Sequence, residues 1–73
     1  MEFTVHRALG KVTWRKYLSY DIQSHTWETT EVTESFCKYI DCGSCYYFHS
    51  VENPSIVRCV TANDVIKIEV VYE

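Results

Sequence analysis

The stretch that decides the fold is residues 26–42, which read TWETTEVTESFCKYIDC. Its first half is rich in threonine and contains Trp27, and both residue types favour a strand. The three-residue spacing of its acids is instead typical of one side of a helix, and those acids are Glu28, Glu31 and Glu34. Residues 26–33 are therefore compatible with either structure.

The second half of this stretch predicts a helix over residues 33–42, with residue 28 as the earliest start. Thr33 is a suitable N-cap, and Glu34 lies where the positive end of the helix dipole stabilises a negative charge. The apolar residues that follow fall on one helical face, namely Phe36, Tyr39 and Ile40. Gly43 then fits the C-terminal end of the helix, because glycine readily adopts the left-handed conformation found there.

Outside this stretch, polar and apolar residues mostly alternate with the two-residue period of a strand. The segments with this pattern are residues 2–8, 11–22, 45–51, 55–61 and 64–72. Leu9-Gly10 is predicted to close a hairpin between the first two segments, and the turn at residues 62–64 to complete a meander of the last three. The sequence thus predicts an α+β fold: a small curved antiparallel sheet of about five strands, in the order ββαβββ, with one helix packed on one face.

The chain is short enough to form a single domain over residues 1–73. Its composition, 47% hydrophobic and 15% aromatic, is that of a folded protein rather than of a disordered one. A chain of this size has a thin core, and two tryptophans, six tyrosines and three phenylalanines cannot all be buried in it. Some of these rings are expected on the surface, where aromatic residues are typical of binding interfaces.

The N-terminal residues resemble no signal peptide, and nowhere does the sequence contain the stretch of about 18 apolar residues that a membrane-spanning helix needs. This pattern predicts a cytoplasmic protein that does not associate with a membrane. In that compartment the four cysteines are expected to remain thiols unless a metal binds them.

The charge is unevenly distributed along the chain, whose formal net charge is −3. Residues 1–20 contain four basic residues and one acid, whereas residues 21–41 contain five acids and one lysine. Nucleic-acid binding draws its affinity from neutralised phosphates, so direct, specific nucleic-acid binding is not expected of this chain. The acidic middle suits either a surface that docks on a basic groove or an ordinary solvated face.

The cysteines are the one constellation with the spacing of a metal site. The candidate zinc ligands lie within thirteen residues and are Cys37, Cys42, Cys45 and His49, with Cys59 as a possible replacement. The two-residue gap of Cys42-Gly43-Ser44-Cys45 allows both thiolates of a tight turn to reach one ion. Zinc modules usually contain two such pairs, however, and free cysteines commonly pack as small hydrophobes. We therefore predict no cofactor, with a structural zinc as the alternative.

Catalysis is not predicted. A redox role of the thioredoxin type needs the paired cysteines at the start of a helix, whereas here they follow the predicted helix. The three histidines, His6, His25 and His49, form no motif with a nucleophile, and a domain of this size seldom supplies a pocket with rigid support. The two glycines are too far apart to form a phosphate-binding loop.

The remaining features predict a small non-enzymatic binding protein. Short, acidic, cytoplasmic domains with crowded aromatic surfaces are typical of the inhibitors that bacteriophages make against host defence, nuclease or polymerase components. The predicted contact surface consists of Trp27, Glu28, Glu31 and Glu34. The ring would anchor the host protein, and the acids would orient it. The alternative role for Trp27 is that of a core residue.

A second hypothesis is a self-associating domain that sequesters a small ligand between its subunits or is held together by a structural zinc. An exposed edge strand, at residues 2–8 or 64–72, would pair with its copy in a homodimer and enlarge the core.

Overall fold

The computed structural model describes residues 4–72, which form one antiparallel sheet of six strands. The strands are β1 (Thr4–His6), β2 (Leu9–Asp21), β3 (Thr26–Asp41), β4 (Cys45–Ser50), β5 (Val57–Thr61) and β6 (Val65–Tyr72). A single 3₁₀ turn, η1 (Ala62–Asp64), connects β5 to β6. From residue 4 to residue 72 there is no α-helix, and hence none of the length and hydropathy needed to cross a membrane.

The sheet has the strand order β5-β4-β3-β2-β6, and β1 pairs with the C-terminal end of β3. Strands β2 to β5 follow one another as a meander, and β6 then returns to the far edge beside β2. Val12 on β2 and Phe36 on β3 are nevertheless only 1% exposed, although no second layer covers the sheet within the described residues. A flat single sheet leaves both of its faces open to solvent. The sheet is therefore curved, and its concave side holds the core. On that side the guanidinium of Arg58 on β5 lies 5.2 Å from the ring centre of Trp14 on β2.

The helix predicted over residues 33–42 is wrong, because these residues lie in β3 and its continuation. The cause of the error is a β-bulge at Cys37: the pairing of β3 with β4 shifts by one residue at this point. A bulge resets the alternation of a strand, so Phe36 and Tyr39 both point into the concave side. Their three-residue spacing has the appearance of a helical face. Ile40 points the other way, opposite Tyr47.

The predicted α+β class and the ββαβββ order are therefore corrected to an all-antiparallel sheet. No helix packs on it within the described range. The hairpin predicted at Leu9-Gly10 is also wrong, because β1 and β2 both pair with β3 rather than with each other. The meander predicted for the last three strands ends at β5, since β6 pairs with β2. Residues 2 and 3 of the predicted first strand lie outside the described residues.

A small cluster of fully buried side chains forms the core on the concave side: Val12, Phe36, Phe48 and Val60. The rings of Phe36 and Phe48 lie 5.4 Å apart, and Tyr39 contacts both. Gly10 lies directly under this cluster, where a Cβ atom would overlap the Glu69 carbonyl oxygen and the Phe36 ring. Glycine at this position lets β2 and β6 approach closely beneath the ring.

Strands β2 and β3 are much longer than their neighbours. Strand β6 pairs with β2 only from Leu9 to Trp14, and β4 pairs with β3 only from Phe36 onwards. Residues 15–31 consequently form a two-stranded ribbon, which we call the arm. The remaining described residues are called the body. The arm accounts for the elongated shape of the molecule, which measures 45 Å by 29 Å by 21 Å.

Candidate functional site

Three aromatic rings lie together on one face of the arm. The pairing of β2 with β3 places Tyr17 opposite Thr29 and Tyr20 opposite Trp27, with a bulge at Leu18 between them. Without the bulge, side chains three positions apart would point to opposite faces of the strand. The ring centres of Tyr17 and Tyr20 lie 5.5 Å and 5.2 Å from that of Trp27, in edge-to-face contacts. We call these three residues the aromatic face.

The aromatic face is held in place but not covered. Trp27 is 55% exposed, and each of the two tyrosines is 45% exposed. The hydroxyl of Tyr17 donates a hydrogen bond of 2.7 Å to the Asp64 carboxylate in η1, which also lies 3.8 Å from the Arg15 guanidinium. These contacts fix the base of the arm to the body, so the rings are presented on a positioned support.

The tip of the arm is a four-residue loop between Asp21 and Thr26. One carboxylate oxygen of Asp21 accepts hydrogen bonds from the backbone amides of Gln23 and Ser24, at 2.9 Å and 3.5 Å. The amide of Gln23, followed by the side chain and amide of Ser24, lowers the pKa of Asp21 below its ordinary value, because these donors stabilise the charged carboxylate. His25 closes the loop with a φ of 55°.

The structure divides the predicted contact residues between two faces. Trp27 and Glu31 lie on the aromatic face, whereas Glu28 and Glu34 lie on the opposite face, because side chains alternate along β3. Glu28 accepts a hydrogen bond from the Ser19 hydroxyl at 3.1 Å. Only Glu31 therefore shares a surface with the ring, directly opposite Arg15.

Glu34 has a structural role in the body. Its two carboxylate oxygens accept hydrogen bonds from the Arg58 guanidinium at 3.0 Å and 3.2 Å, and the Trp14 indole donates a third at 2.9 Å. Arg58 also lies over the Trp14 ring. This arrangement joins β5, β3 and β2 across the mouth of the concave side. A bidentate arginine–carboxylate pair is one of the more stable charged contacts.

Tyr17 and Tyr20 were not among the predicted contact residues. They lie on a different strand from Trp27, and they come together with it only through the register of the β2–β3 hairpin and the bulge at Leu18. The one available signal was compositional, since the chain has more large rings than its core can bury.

A second group of reactive side chains lies on the convex side of the body. The pairing of β3 with β4 reaches Asp41 and Tyr46, and the next residue on each side is Cys42 and Cys45, where the Cys42 amide donates to the Cys45 carbonyl at 3.0 Å. Strand β5 then places Cys59 opposite Tyr47. Cys42, Cys45, Tyr47 and Cys59 therefore share one face, and we call them the thiol cluster.

Two members of the thiol cluster, Cys42 and Tyr47, have raised pKa values. Burial is the largest cause of the raised pKa of Cys42, and the neighbouring Cys45 thiol adds to it. The pKa of Tyr47 is raised chiefly by the Cys45 thiol and also by Cys59. Cys42 is therefore a thiol rather than a thiolate at neutral pH.

The predicted zinc ligands are not assembled into one site. Cys37 lies at the bulge, where its sulfur contacts the carbonyl oxygens of His49 and Ser50, each at 3.7 Å. The Nδ1 of His49 lies 2.9 Å from the Pro54 carbonyl, to which it donates. Over residues 4–72, no group of three or more histidine, cysteine, aspartate and glutamate side chains is arranged to hold a metal ion. Cys59 is exposed and the other three cysteines are half-buried.

The histidines are dispersed over the molecule. His6 stacks on Tyr39 with ring centres 4.5 Å apart, His25 lies at the tip of the arm, and His49 binds the loop between β4 and β5. Each therefore has a local structural contact, and the three do not converge on one pocket.

Comparison with known proteins gives no further information on the site. No protein-family model matches the chain, and no curated protein or solved structure matches it.

Proposed function

We propose that the chain is a small non-enzymatic binding protein that docks on another protein through the aromatic face of its arm. The observation that carries this proposal is the presentation of Trp27, Tyr17 and Tyr20 on a projecting ribbon, in which every residue from 15 to 31 is exposed. Aromatic residues that a chain neither buries in its core nor scatters singly are typical of interfaces.

Trp27 is the anchor of the proposed interface. Tryptophan and tyrosine are enriched among the few residues that dominate binding energy, because they bury a large area with little side-chain freedom to lose. The edge-to-face contacts with Tyr17 and Tyr20 restrict the Trp27 ring before binding. Glu31 and Arg15 lie on the same face, where they supply orientation at the rim rather than affinity at the centre.

Within this class, the proposed role is that of a phage-type inhibitor. It would act in the cytoplasm, and its target would be a host protein of a defence, nuclease or polymerase system. The short chain, its net charge of −3 and its exposed rings support this role. An inhibitor of this kind needs one rigid contact surface and no catalytic group, which agrees with the concentration of exposed rings on the arm.

Site-specific photocrosslinking in cells of the native source tests the proposal. A photoreactive phenylalanine analogue replaces Tyr20 on the arm in one variant and Val71 in a matched control. Val71 is 72% exposed but lies on β6, away from the aromatic face. We expect one discrete protein adduct from position 20 and none from position 71. Equal labelling from both positions, or no adduct from position 20, would contradict docking through the arm.

Self-association is the second candidate, and it would use the edge of β6. Within the described sheet this eight-residue strand has no partner on its outer side, and Ile66, Val70 and Val71 are exposed. Register shifts at Ile66 and Val71 interrupt the edge, and such bulges are one way in which proteins block edge pairing. A native mass spectrum at several concentrations decides between the two candidates. A dimer that retains a small molecule supports self-association, and a monomer without a ligand supports docking through the arm.

A further inference from the structure

The β3–β4 turn places two cysteines directly opposite each other. Asp41 pairs with Tyr46, so the next pair along the ladder is Cys42 with Cys45, and the Cys42 amide donates to the Cys45 carbonyl at 3.0 Å. Directly opposite residues of a hydrogen-bonded antiparallel pair have Cα atoms about 5.5 Å apart. Disulfides span Cα distances of about 4.4–6.8 Å and are commonest near 5.5–6 Å.

The turn itself is fixed by local contacts. Gly43 has a φ of 86°, and it is the first residue of a two-residue hairpin loop, where such turns require glycine. The Gly43 amide donates to the Asp41 carboxylate at 2.8 Å. Because opposite residues of a ladder point to the same face, the two cysteine side chains lie side by side on the convex side of the body.

The other two cysteines are less well placed. Cys59 pairs with Tyr47, which makes it a diagonal neighbour of Cys45. Diagonal neighbours are separated by about 7–8 Å, beyond the range of an unstrained disulfide. Cys37 lies at the bulge with its sulfur turned to the carbonyls of β4. The register therefore selects one pair out of four thiols.

We propose that Cys42 and Cys45 are a covalent modification site that a low-molecular-weight disulfide such as glutathione disulfide oxidises to an intramolecular disulfide. One protein thiolate attacks the reagent, forms a mixed disulfide and releases one glutathione thiol. The second protein thiolate then displaces the other glutathione. Two protein thiols lose two protons and two electrons, and the reagent is reduced to two thiols. Cys59 remains as the exposed thiol of the cluster.

The site does not depend on the proposed function of the arm. Trp27 lies near one end of β3, and the cysteine pair follows the other end. Loss of binding through the arm leaves the thiol chemistry unchanged, and the reverse also holds, so either proposal can fail alone.

Trypsin separates the cysteines cleanly and provides the test. Cleavage after lysine and arginine leaves Cys37 in residues 17–38, Cys42 and Cys45 together in residues 39–58, and Cys59 in residues 59–67. The full-length protein is equilibrated with a series of glutathione and glutathione-disulfide mixtures, alkylated, digested and analysed by mass spectrometry. We expect only the peptide 39–58 to contain an internal disulfide, so that its mass is two hydrogens lower and neither of its cysteines is alkylated. The other two peptides should be alkylated.

Variants sharpen the test. Cys59→Ser and Cys37→Ser are expected to leave the midpoint potential of the Cys42–Cys45 pair unchanged, as measured from the oxidised fraction of the peptide 39–58. Cys45→Ser is expected to abolish the internal disulfide of this peptide. A first-formed disulfide that links two peptides would overturn the proposal, as would four thiols that oxidise together or a peptide 39–58 that stays fully alkylated. The wild-type peptide map decides these outcomes even where a variant fails to fold.

Discussion

The arm and the body are built from the same two strands, yet they differ completely in burial. In the body, β2 and β3 contribute Val12 and Phe36 to a core in which both side chains are only 1% exposed. In the arm, the same strands continue through residues 15–31 without one buried or half-buried residue. The same two strands therefore carry buried aromatic residues in the body and exposed ones in the arm.

Aromatic residues in the body stabilise the fold, whereas those in the arm do not contribute to the core. Phe36, Phe48 and Tyr39 contact one another around the buried cluster. The rings of Trp27, Tyr17 and Tyr20 contact one another, and the two tyrosine hydroxyls contact Asp64 of the body and His25 at the tip of the arm. Substitutions in the body should therefore change stability, and substitutions in the arm should change binding.

Phe36→Ala is expected to have the largest effect on stability. It removes the most central ring of the core, and such truncations cost about 3–5 kcal/mol. At about 0.05–0.15 kcal/mol per residue, a domain of this length has a total stability of about 4–11 kcal/mol, so the variant should lose a large part of it. Urea unfolding monitored by circular dichroism measures the loss. A free energy within about 1 kcal/mol of wild type would contradict the assigned core.

Gly10→Ala should have the next largest effect, because the added methyl group meets the Glu69 carbonyl oxygen and the Phe36 ring. We expect a loss of about 1–3 kcal/mol from overpacking. Gly43→Ala is the matched control: its methyl group meets nothing within 4 Å, and the cost of its positive φ is about 1–2 kcal/mol. Thermal unfolding of both variants ranks the two costs. A Gly10→Ala protein as stable as wild type would show that β6 is not pressed against β2.

Charge reversal separates the acids that the sequence grouped together. Glu34→Lys should cost about 1 kcal/mol of stability, because it breaks the half-exposed contact with Arg58 and Trp14. Glu31→Lys should leave the unfolding free energy within about 0.5 kcal/mol but weaken binding through the aromatic face. Glu28→Lys, on the opposite face, is the control for binding. Chemical denaturation and titration against the crosslinked partner check these outcomes, and equal binding losses for Glu28→Lys and Glu31→Lys would contradict the assignment of faces.

The smallest effect concerns pH at the tip of the arm. The pKa of Asp21 in the folded chain is lower than its ordinary value of 3.8. Its contribution to the order of the loop is therefore fully present above that pH and is lost as the pH falls through the lowered value. Protection factors at the Gln23 and Ser24 amides, which are exchange rates corrected for the intrinsic effect of pH, should fall on acidification, and Asp21→Asn should weaken this pH dependence. Protection factors with the same pH dependence in both proteins would contradict the loop assignment.

The sequence predicted individual strands better than their arrangement. Alternation identified residues 45–51 and 55–61, which correspond to β4 and β5. It failed at residues 33–42, where the bulge at Cys37 gave Phe36 and Tyr39 a helical spacing. A single sequence contains no signal that distinguishes a bulged strand from a short amphipathic helix when both place two rings on one side.

The candidate site was predicted in part for a related reason. Trp27 was singled out because an isolated tryptophan beside acids stands out along the chain. Tyr17 and Tyr20 were missed because their proximity depends on hairpin register. The prediction also placed Glu28 and Glu34 with Trp27 on the basis of helical spacing, and in a strand these residues alternate to the other face.

The affinity of the crosslinked partner for Trp27→Ala tests the central claim most directly, with Val71→Ala as the exposed control on β6. Removal of an anchoring ring costs about 2 kcal/mol or more, which is about 30-fold in Kd. We predict at least this loss by isothermal titration calorimetry for Trp27→Ala, an unchanged Kd for Val71→Ala, and near wild-type unfolding free energies for both. An unchanged Kd for Trp27→Ala in a folded protein would contradict the account, because the exposed rings of the arm would then not be the binding surface.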